Sequence, residues 1–177
     1  MSGNHPFRRL GPAIPGAPVL ISVPHAGRDY PPDYALLARL PIDRVRPLED
    51  RHADLLVETA VDRGHAALVA TIPRVWIDLN RSEREFDPGL IAWDGKTSPL
   101  PSAKVRGGLG IVPRRVSRGG DIWRDALSAP AFEARLAHIH RPWHASIEET
   151  LEELAGRFGG AVLIDLHSMP PIPPAHG

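Results

Sequence analysis

The stretch AVLIDLHSMP, residues 161–170, decides the fold class, because an apolar run of β type ends there in two chemically capable side chains. Its first four residues suit a buried strand, whereas Asp165 and His167 at the end of that strand need partners or a purpose. If this pattern occurred only once, the simplest interpretation would be that the polar end of the strand is exposed to solvent. The choice depends on whether the pattern recurs elsewhere in the chain.

The same pattern occurs in two other places. PVLISVPHAG (residues 18–27) is an apolar run that ends in a histidine, and RVWIDLNR (residues 74–81) ends in an acid followed by Asn80 and Arg81. Each run predicts a strand that delivers polar side chains at its carboxyl end, where open α/β sheets bind their ligands. One site built from three strands is therefore the simplest interpretation.

Helical patterns alternate with these predicted strands. The turn after YPP favours a helix that begins near Asp33. The segment LEDRHADLLVETAVDRG (residues 48–64) predicts a second helix, with acids in its first turn and Gly64 at its end. Its predicted apolar stripe consists of Leu55, Leu56, Ala60 and Val61.

Beyond this second helix, residues 66–72 predict another strand, and residues 82–120 form a long irregular region of turns, prolines and glycines. Apolar residues then recur every three or four positions over residues 131–160, which predicts a long amphipathic helix ending at Gly159. Pro142 lies inside this pattern and should kink or divide the helix, because proline lacks an amide hydrogen. The alternation of strands and helices predicts an α/β fold.

Composition narrows the class of protein. The chain has 177 residues, no cysteine, and 21 acidic against 21 basic side chains. Its length suits one domain with a real core, and the balanced charge gives no field that would favour nucleic acid or an anionic membrane. The sequence has no apolar stretch of the length that a signal peptide or a membrane span requires, so we expect a cytoplasmic protein without membrane partners.

Histidines and carboxylates remain as the strong metal ligands, because thiols are absent. A hydrolytic zinc site needs about three nitrogen or oxygen ligands and one open position for water. His25 and His167 can supply two imidazoles, and Glu49, Asp50 and Asp54 are the nearest carboxylates. The competing interpretation is that both histidines are hydrogen-bonded within turns at the strand ends.

Two other motifs carry weaker signals. His140 and His144 are one helical turn apart, but Pro142 between them disturbs the regular spacing, which favours a surface or supporting role. RGGLG (residues 106–110) is a poor phosphate loop, because it neither follows a predicted strand nor begins a helix.

Several motifs occur in one order along the chain: PHAG with YPPDY, EDRHADLL, PRVWIDLNRSEREFDP, GLGIVPR, HRPWH and IDLHSMPP. Together, from Val19 to Pro171, they resemble the N-formylglutamate amidohydrolase family. The resemblance implies a zinc-dependent hydrolase that releases formate from N-formyl-L-glutamate, a late step of histidine degradation in some bacteria. Through the wider group of aspartoacylase and the zinc carboxypeptidases, it also implies a three-layer sandwich with a central mixed sheet flanked by helices.

The resemblance also implies a set of metal ligands. His25 of PHAG and His167 of DLHS match metal-binding positions of the family. The wider group takes its acidic ligand from HxxE, but the corresponding position here is Arg28. We therefore expect Asp50 of EDRHADLL to be the third ligand of zinc or another divalent metal, ahead of the two other acids in that segment.

Three further residues are implied to act on the substrate. Asn80 and Arg81 resemble the pair that holds the substrate carboxylate in the wider group, and Arg74 resembles the arginine that polarises the scissile carbonyl. The expected partner is thus a small molecule with a carboxylate, which the planar fork of Arg81 would bind. A water activated by the metal would attack the acyl carbon, while the metal and Arg74 stabilise the developing oxyanion.

The sequence departs from the family at its C-terminal end. Members of the family continue with further strands, and the wider group takes its catalytic glutamate from that later part. We therefore expect residues 1–177 to form one α/β metallohydrolase domain, the N-terminal part of a longer family domain, that binds metal but hydrolyses poorly or not at all. The alternative is a truncated or degenerate domain that binds a metal or an acidic amino acid without catalysis.

Overall fold

The computed structural model describes residues 5–93, 98–116 and 119–169. Its strands, in chain order, are β1 (Phe7–Leu10), β2 (Val19–Val23), β3 (Ala66–Ala70), β4 (Ile91–Ala92), β5 (Arg115–Val116), β6 (Gly120–Asp121), β7 (Leu127–Ser128) and β8 (Val162–Asp165). Its helices are α1 (Tyr34–Leu37), α2 (Ile42–Val45), α3 (Ala53–Leu56), α4 (Glu58–Asp62), α5 (Ala103–Arg106), α6 (Ala129–Arg135) and α7 (Arg141–Phe158). A 3₁₀ turn at Arg46–Leu48 follows α2, and a π-helical turn at Leu136–His140 joins α6 to α7.

A four-stranded mixed sheet organises this part of the chain, in the order β1-β3-β2-β8. β2 lies between β3 and β8 and is parallel to both, whereas β1 is antiparallel to β3. β3 is buried along its whole length, and β2 is buried in all but its first residue. The predicted α/β class with a central mixed sheet is confirmed, and the carboxyl ends of β2 and β8 meet at one edge of the sheet.

The strand predicted from AVLIDLHSMP forms as β8, but its apolar residues, which suit a buried strand, are exposed in this chain. Val162, Leu163 and Ile164 expose 52%, 43% and 45% of their surface. Among the described residues, β8 pairs with β2 alone, so it is an edge strand with one open side. An apolar run indicates a strand, but burial also depends on which neighbours cover it.

The run RVWIDLNR is not a strand, which corrects the third predicted strand. Turns at residues 74–76 and 79–80 interrupt it, and the amide of Trp76 donates to the carbonyl of Pro73 at 2.9 Å. The alternate apolar side chains of the run nevertheless lie in the main core: Val75, Ile77 and Leu79. The alternation therefore predicted burial correctly and strand structure wrongly, because turns can also fill core positions.

The edge strand β1 was absent from the prediction. Its sequence FRRL has two arginines between its apolar residues and shows no apolar run. Its partner is β3, with Phe7 opposite Ala70, so pairing with a buried strand far along the chain creates it. Local sequence carries little information about such a pairing.

The helix predicted over residues 48–64 begins later and is divided into α3 and α4. Its buried residues are Ala53 and Val57, whereas Leu55 and Leu56 are 52% and 67% exposed. The predicted stripe was therefore wrong in its first half, because the true helix presents a different face to the sheet. Gly64 ends the segment at a φ of 87°, as predicted.

The long helical pattern over residues 131–160 is confirmed, and it is divided near Pro142 as predicted. α6 passes into the π-helical turn, and Pro142 occupies the first turn of α7, where a missing amide hydrogen does no harm. The side chains that face the core are Phe132, Leu136, Trp143 and Leu154. Gly159, at a φ of 79°, ends α7.

The predicted irregular region of residues 82–120 contains only short elements in its described parts, which are β4, α5, β5 and the start of β6. Ser102 caps α5 by accepting a hydrogen bond from the amide of Val105. None of the helices in the described residues is both long enough and apolar enough to cross a membrane.

Candidate functional site

The two histidines singled out from the sequence meet at the carboxyl edge of the sheet. His25 follows β2 and His167 follows β8, two residues beyond the end of each strand. β2 and β8 are parallel neighbours in which Ser22 lies opposite Asp165. Their common direction brings the two imidazole rings to a centroid distance of 4.8 Å.

Asp50 lies between these histidines. Its amide donates to the carbonyl of His25 at 2.9 Å, which fixes the backbone of the segment that follows the 3₁₀ turn. Its Oδ2 atom is 2.9 Å from Nδ1 of His167 and 3.4 Å from Nδ1 of His25. Ligand atoms of the three residues all lie within 4.8 Å of one another, so the group could hold one metal ion.

Asp78 fixes the orientation of His25 from the opposite side of the ring. Its side chain is fully buried, and Oδ1 lies 2.7 Å from Nε2 of His25. A carboxylate accepts a hydrogen bond, so Nε2 carries the proton and Nδ1 presents a lone pair towards Asp50. This Nδ1 atom is buried and makes no hydrogen bond. A buried nitrogen lone pair that has no hydrogen-bond donor and lies beside a carboxylate is suited to bind a metal ion. Asp78 would then be the acid that orients this ligand.

Asp165 holds His167 in a similar way. Its Oδ2 atom is 2.9 Å from Nε2 of His167, and its Oδ1 accepts a hydrogen bond of 2.8 Å from the hydroxyl of Ser22. When Nε2 donates to Asp165, Nδ1 of His167 is an acceptor that faces the carboxylate of Asp50. Acceptors from three residues then converge, and a cation between them would satisfy all three.

The electrostatics of this group keep its acids charged. Burial opposes ionisation of Asp50, but the neighbouring rings of His25 and His167 outweigh it and lower its pKa to about 2. Burial likewise opposes ionisation of Asp78, yet His25 and Arg74 hold its pKa below the ordinary value. For His25, burial favours the neutral ring, but Asp50 and Asp78 together raise its pKa. The carboxylates of Asp50 and Asp78 are therefore charged, and a cation bound between the rings would replace a proton in balancing them.

The three residues expected to act on the substrate surround Asp78. Nε of Arg74 lies 2.8 Å from Oδ2 of Asp78, and Nε of Arg81 lies 3.7 Å from the same oxygen. The amide of Asn80 donates to Oδ1 of Asp78 at 2.9 Å, and its side-chain nitrogen lies 3.0 Å from Nε2 of His167. Asp78 thus connects the candidate metal ligands to all three substrate-side residues.

The other two acids of EDRHADLL lie outside this group. Glu49 accepts hydrogen bonds from the hydroxyl of Tyr30 and from Nε of Arg51. Asp54 accepts from Arg28, the residue three positions after His25. Each of these acids already has a cationic or hydroxyl partner, which leaves Asp50 as the acid between the two histidines.

Two features of the site were not assigned a role from the sequence. Asp78 was noted only as the acid at the end of an apolar run, although arginines four residues before it and three after it are a recognisable signal for a buried ionic centre. Gly27 of PHAG is the other, because a Cβ atom there would lie 2.0 Å from the carbonyl oxygen of Ile72. The turn that carries His25 therefore packs directly on backbone and requires glycine.

Comparison with known proteins adds to this geometry. A model of the N-formylglutamate amidohydrolase family matches residues 17–177 of the sequence. The chain belongs to the N-formylglutamate amidohydrolase family. Two curated relatives named N-formylglutamate deformylase agree: that of Pseudomonas aeruginosa is 32% identical over 157 residues, and that of Pseudomonas putida is 33% identical over 155 residues.

Two solved structures are similar to the chain in fold. The crystal structure of N-formylglutamate amidohydrolase from Ralstonia eutropha JMP134 is similar with a TM-score of 0.87 and 34% identity, over 93% of this chain and 58% of that one. The crystal structure of a gene product of Agrobacterium tumefaciens shares the fold, with a TM-score of 0.71 and 16% identity over 97% of this chain and 60% of that one. The matches to the Pseudomonas proteins cover 86% of this chain and 52% of each relative, so the chain spans about half their length.

Proposed function

We propose that this chain carries the metal and substrate site of a zinc-dependent amidohydrolase that releases formate from N-formyl-L-glutamate or a similar N-acyl acidic amino acid. The observation that carries the proposal is the convergence of His25, Asp50 and His167 within 4.8 Å at the carboxyl edge of the sheet. The names of the two Pseudomonas relatives support the substrate class. The proposal includes the three-layer arrangement of the family, with the mixed sheet between helices.

In this proposal, Nδ1 of His25, the carboxylate of Asp50 and the imidazole of His167 are the metal ligands. The donor set of nitrogen and oxygen atoms suits zinc, although other divalent metals also accept it. When bound, zinc would lower the pKa of a coordinated water and polarise a carbonyl oxygen. Asp78 and Asp165 hold the two imidazoles in the orientation that keeps their lone pairs directed at the site.

The substrate side of the proposal rests on arginine chemistry. Arg81, with Asn80 beside it, would bind a carboxylate of the substrate through two parallel hydrogen bonds. Arg74 would direct its guanidinium at the formyl oxygen, with its Nε held by Asp78 at 2.8 Å. Because Arg74 and Arg81 approach the same buried acid, their orientations are coupled to that of His25.

A second candidate function, binding of a metal or an acidic amino acid without catalysis, is favoured by one observation. Within the described ranges, Asp78 and Asp165 each already hold a histidine, and Asp50 is itself a proposed metal ligand. An acid so engaged is a poor general base, and loss of a general base typically lowers a rate by about 10²- to 10⁴-fold.

Formate release from N-formyl-L-glutamate by the zinc-loaded chain tests the proposal, beside calorimetric binding of the same compound. We expect binding that depends on a substrate carboxylate, so the fully amidated analogue should bind at least about 10-fold more weakly. Arg81→Lys should weaken binding to a similar degree, because lysine keeps the charge but not the planar fork. Equal affinity for both compounds, or an unchanged affinity in Arg81→Lys, would contradict the carboxylate site. Binding without formate release would favour the second candidate.

A further inference from the structure

The segment that carries Asn80 and Arg81 belongs to no strand or helix. Residues 78–82 form neither strand nor helix, and the chain turns at Leu79 and Asn80. The amide of Asp78 donates to the carbonyl of Ile111, whereas the amides of Asn80 and Ser82 donate to the side chains of Asp78 and Glu85. A turn without a repeating pattern of backbone hydrogen bonds has many accessible conformations. A substrate-binding side chain on such a turn therefore needs contacts from another part of the fold to hold it in place. The beginning of α7 supplies contacts of this kind.

His140, the last residue of the π-helical turn, reaches the backbone of this segment. Its Nε2 lies 2.8 Å from the carbonyl oxygen of Arg81, and its side chain is 6% exposed. A carbonyl oxygen can only accept, so Nε2 carries the proton and donates. The bond restrains the peptide that joins Arg81 to Ser82, and with it the direction of the Arg81 side chain.

Two neighbouring contacts from α7 flank this bond. The guanidinium of Arg141 binds the carboxylate of Glu83 through two contacts of 2.9 and 3.0 Å. His144 shares a hydrogen bond with the backbone of Leu79, and its ring lies 4.3 Å from that of His140. The support therefore extends on both sides of Arg81, and of these three residues His140 is the one bonded to the backbone of Arg81 itself.

The unusual helix geometry explains why His140 points inward. A π-helical turn contains one residue more than an α-helical turn, and Pro142 has no amide hydrogen to continue the regular ladder. The resulting shift buries His140 and leaves His138, on the same turn, exposed to solvent. π-helical turns are frequent at functional sites, which agrees with this use.

We propose that His140 is a positioning residue that holds Arg81, through its carbonyl, in the orientation needed to bind a substrate carboxylate. The inference rests on the proposed function for the role of Arg81, and it adds a residue that does not itself touch the substrate. The HRPWH motif then has a physical purpose, since the histidine before Arg141 orients the segment and Pro142 sets the helix register.

The test compares four variants of the zinc-loaded chain: His140→Ala, His140→Asn, His140→Gln and His138→Ala. The amide nitrogen of glutamine reaches about as far as Nε2 of histidine, whereas that of asparagine stops near the position of Nδ1. Glutamine should therefore restore the bond to Arg81 and asparagine should not. His138→Ala removes an exposed histidine from the same turn and is the matched control.

The first readout is amide hydrogen exchange of residues 79–83 without ligand, and the second is calorimetric affinity for N-formyl-L-glutamate. Loss of one ordinary hydrogen bond shifts an equilibrium by about 5- to 10-fold. We expect exchange to be faster, and affinity lower, by that factor in His140→Ala and His140→Asn, with zinc content unchanged. His140→Gln and His138→Ala should match the wild type in both measurements.

The proposal would be overturned if His140→Asn and His140→Gln had equal exchange rates and equal affinities, or if exchange were unchanged in both. The comparison of these two variants remains valid even if His140→Ala fails to fold. Failure of the proposed function has a different signature, which is the absence of N-formyl-L-glutamate binding to the wild type. If the exchange difference between Asn and Gln persists in that case, the support of Arg81 by His140 stands and the carboxylate site is rejected.

Discussion

Each histidine of the candidate metal site lies between Asp50 and a second aspartate, but the two rings have different surroundings. His25 and Asp78 are 2.7 Å apart with side chains 3% and 0% exposed, whereas His167 and Asp165 are 2.9 Å apart with side chains 32% and 35% exposed. His25 follows the central strand β2, whereas Asp165 ends the edge strand β8 and His167 follows it. One half of the site is thus part of the core, and the other half stands at an open edge.

This difference separates two roles that a histidine and carboxylate pair can have. A buried pair must be complete, because an isolated charge in a protein interior is very unfavourable. An exposed pair is solvated and contributes little to stability, so its value lies in orienting the ring. The His25 half should therefore govern both stability and metal binding, and the His167 half metal binding alone.

The largest expected effect is on stability, in the pair of variants Asp78→Ala and Asp165→Ala. Removing Asp78 leaves His25 and Arg74 without their buried partner, and such a loss destabilises by about 3–5 kcal/mol. Removing Asp165 should cost less than about 1 kcal/mol, because the pair is exposed. Urea denaturation of the metal-free chain measures both. Equal changes in the free energy of unfolding would show that burial does not distinguish the two halves.

The next effect is on zinc affinity, in Asp50→Ala and Asp54→Ala. Asp50 lies between both imidazoles, whereas Asp54 is bound to Arg28, so only the first change removes a proposed ligand. We expect Asp50→Ala to weaken zinc binding by more than about 100-fold, beyond the range typical of residues that only support a ligand. Competition with a chromogenic chelator gives the affinity. Similar affinities of Asp50→Ala and the wild type would remove Asp50 from the ligand set.

A smaller effect is expected from Asp165→Asn. Asparagine keeps the shape of the side chain but cannot accept with a full negative charge, so it orients His167 less strongly. Zinc affinity should fall by about 10-fold, the lower end for a supporting carboxylate, without a measurable change in unfolding. The same chelator competition applies, with Asp121→Asn, a distant exposed acid, as the control. A loss as large as that of Asp50→Ala would mean that Asp165 is itself a ligand.

The parts of the fold that could be predicted are those that local pattern controls. The runs that form β2 and β8 are mostly apolar, and Pro142 and Gly159 act on the helix through backbone geometry alone. The turn conformation of RVWIDLNR and the pairing of β1 could not be predicted, because both depend on neighbours distant in sequence. The exposure of β8 likewise depends on what lies beside it.

The same distinction applies to the site. Parallel pairing of β2 and β8 brings His25 and His167 together. The sequence predicts this, because polar residues at the ends of several apolar runs indicate one shared site. The position of Asp50 depends on the bond between its amide and the carbonyl of His25, which no local pattern contains. The part played by Asp78 was missed for a similar reason, since its partner His25 is 53 residues away.

X-ray absorption spectroscopy at the zinc edge, on the zinc-loaded chain and on His25→Ala, tests the central claim most directly. The account predicts one zinc ion with two imidazole nitrogens at about 2.0–2.1 Å and oxygen atoms as its remaining ligands. It also predicts that His25→Ala reduces the imidazole count to one or abolishes zinc binding. A zinc ion with fewer than two imidazoles in the wild type, or an identical spectrum in His25→Ala, would contradict a metal site shared by His25 and His167.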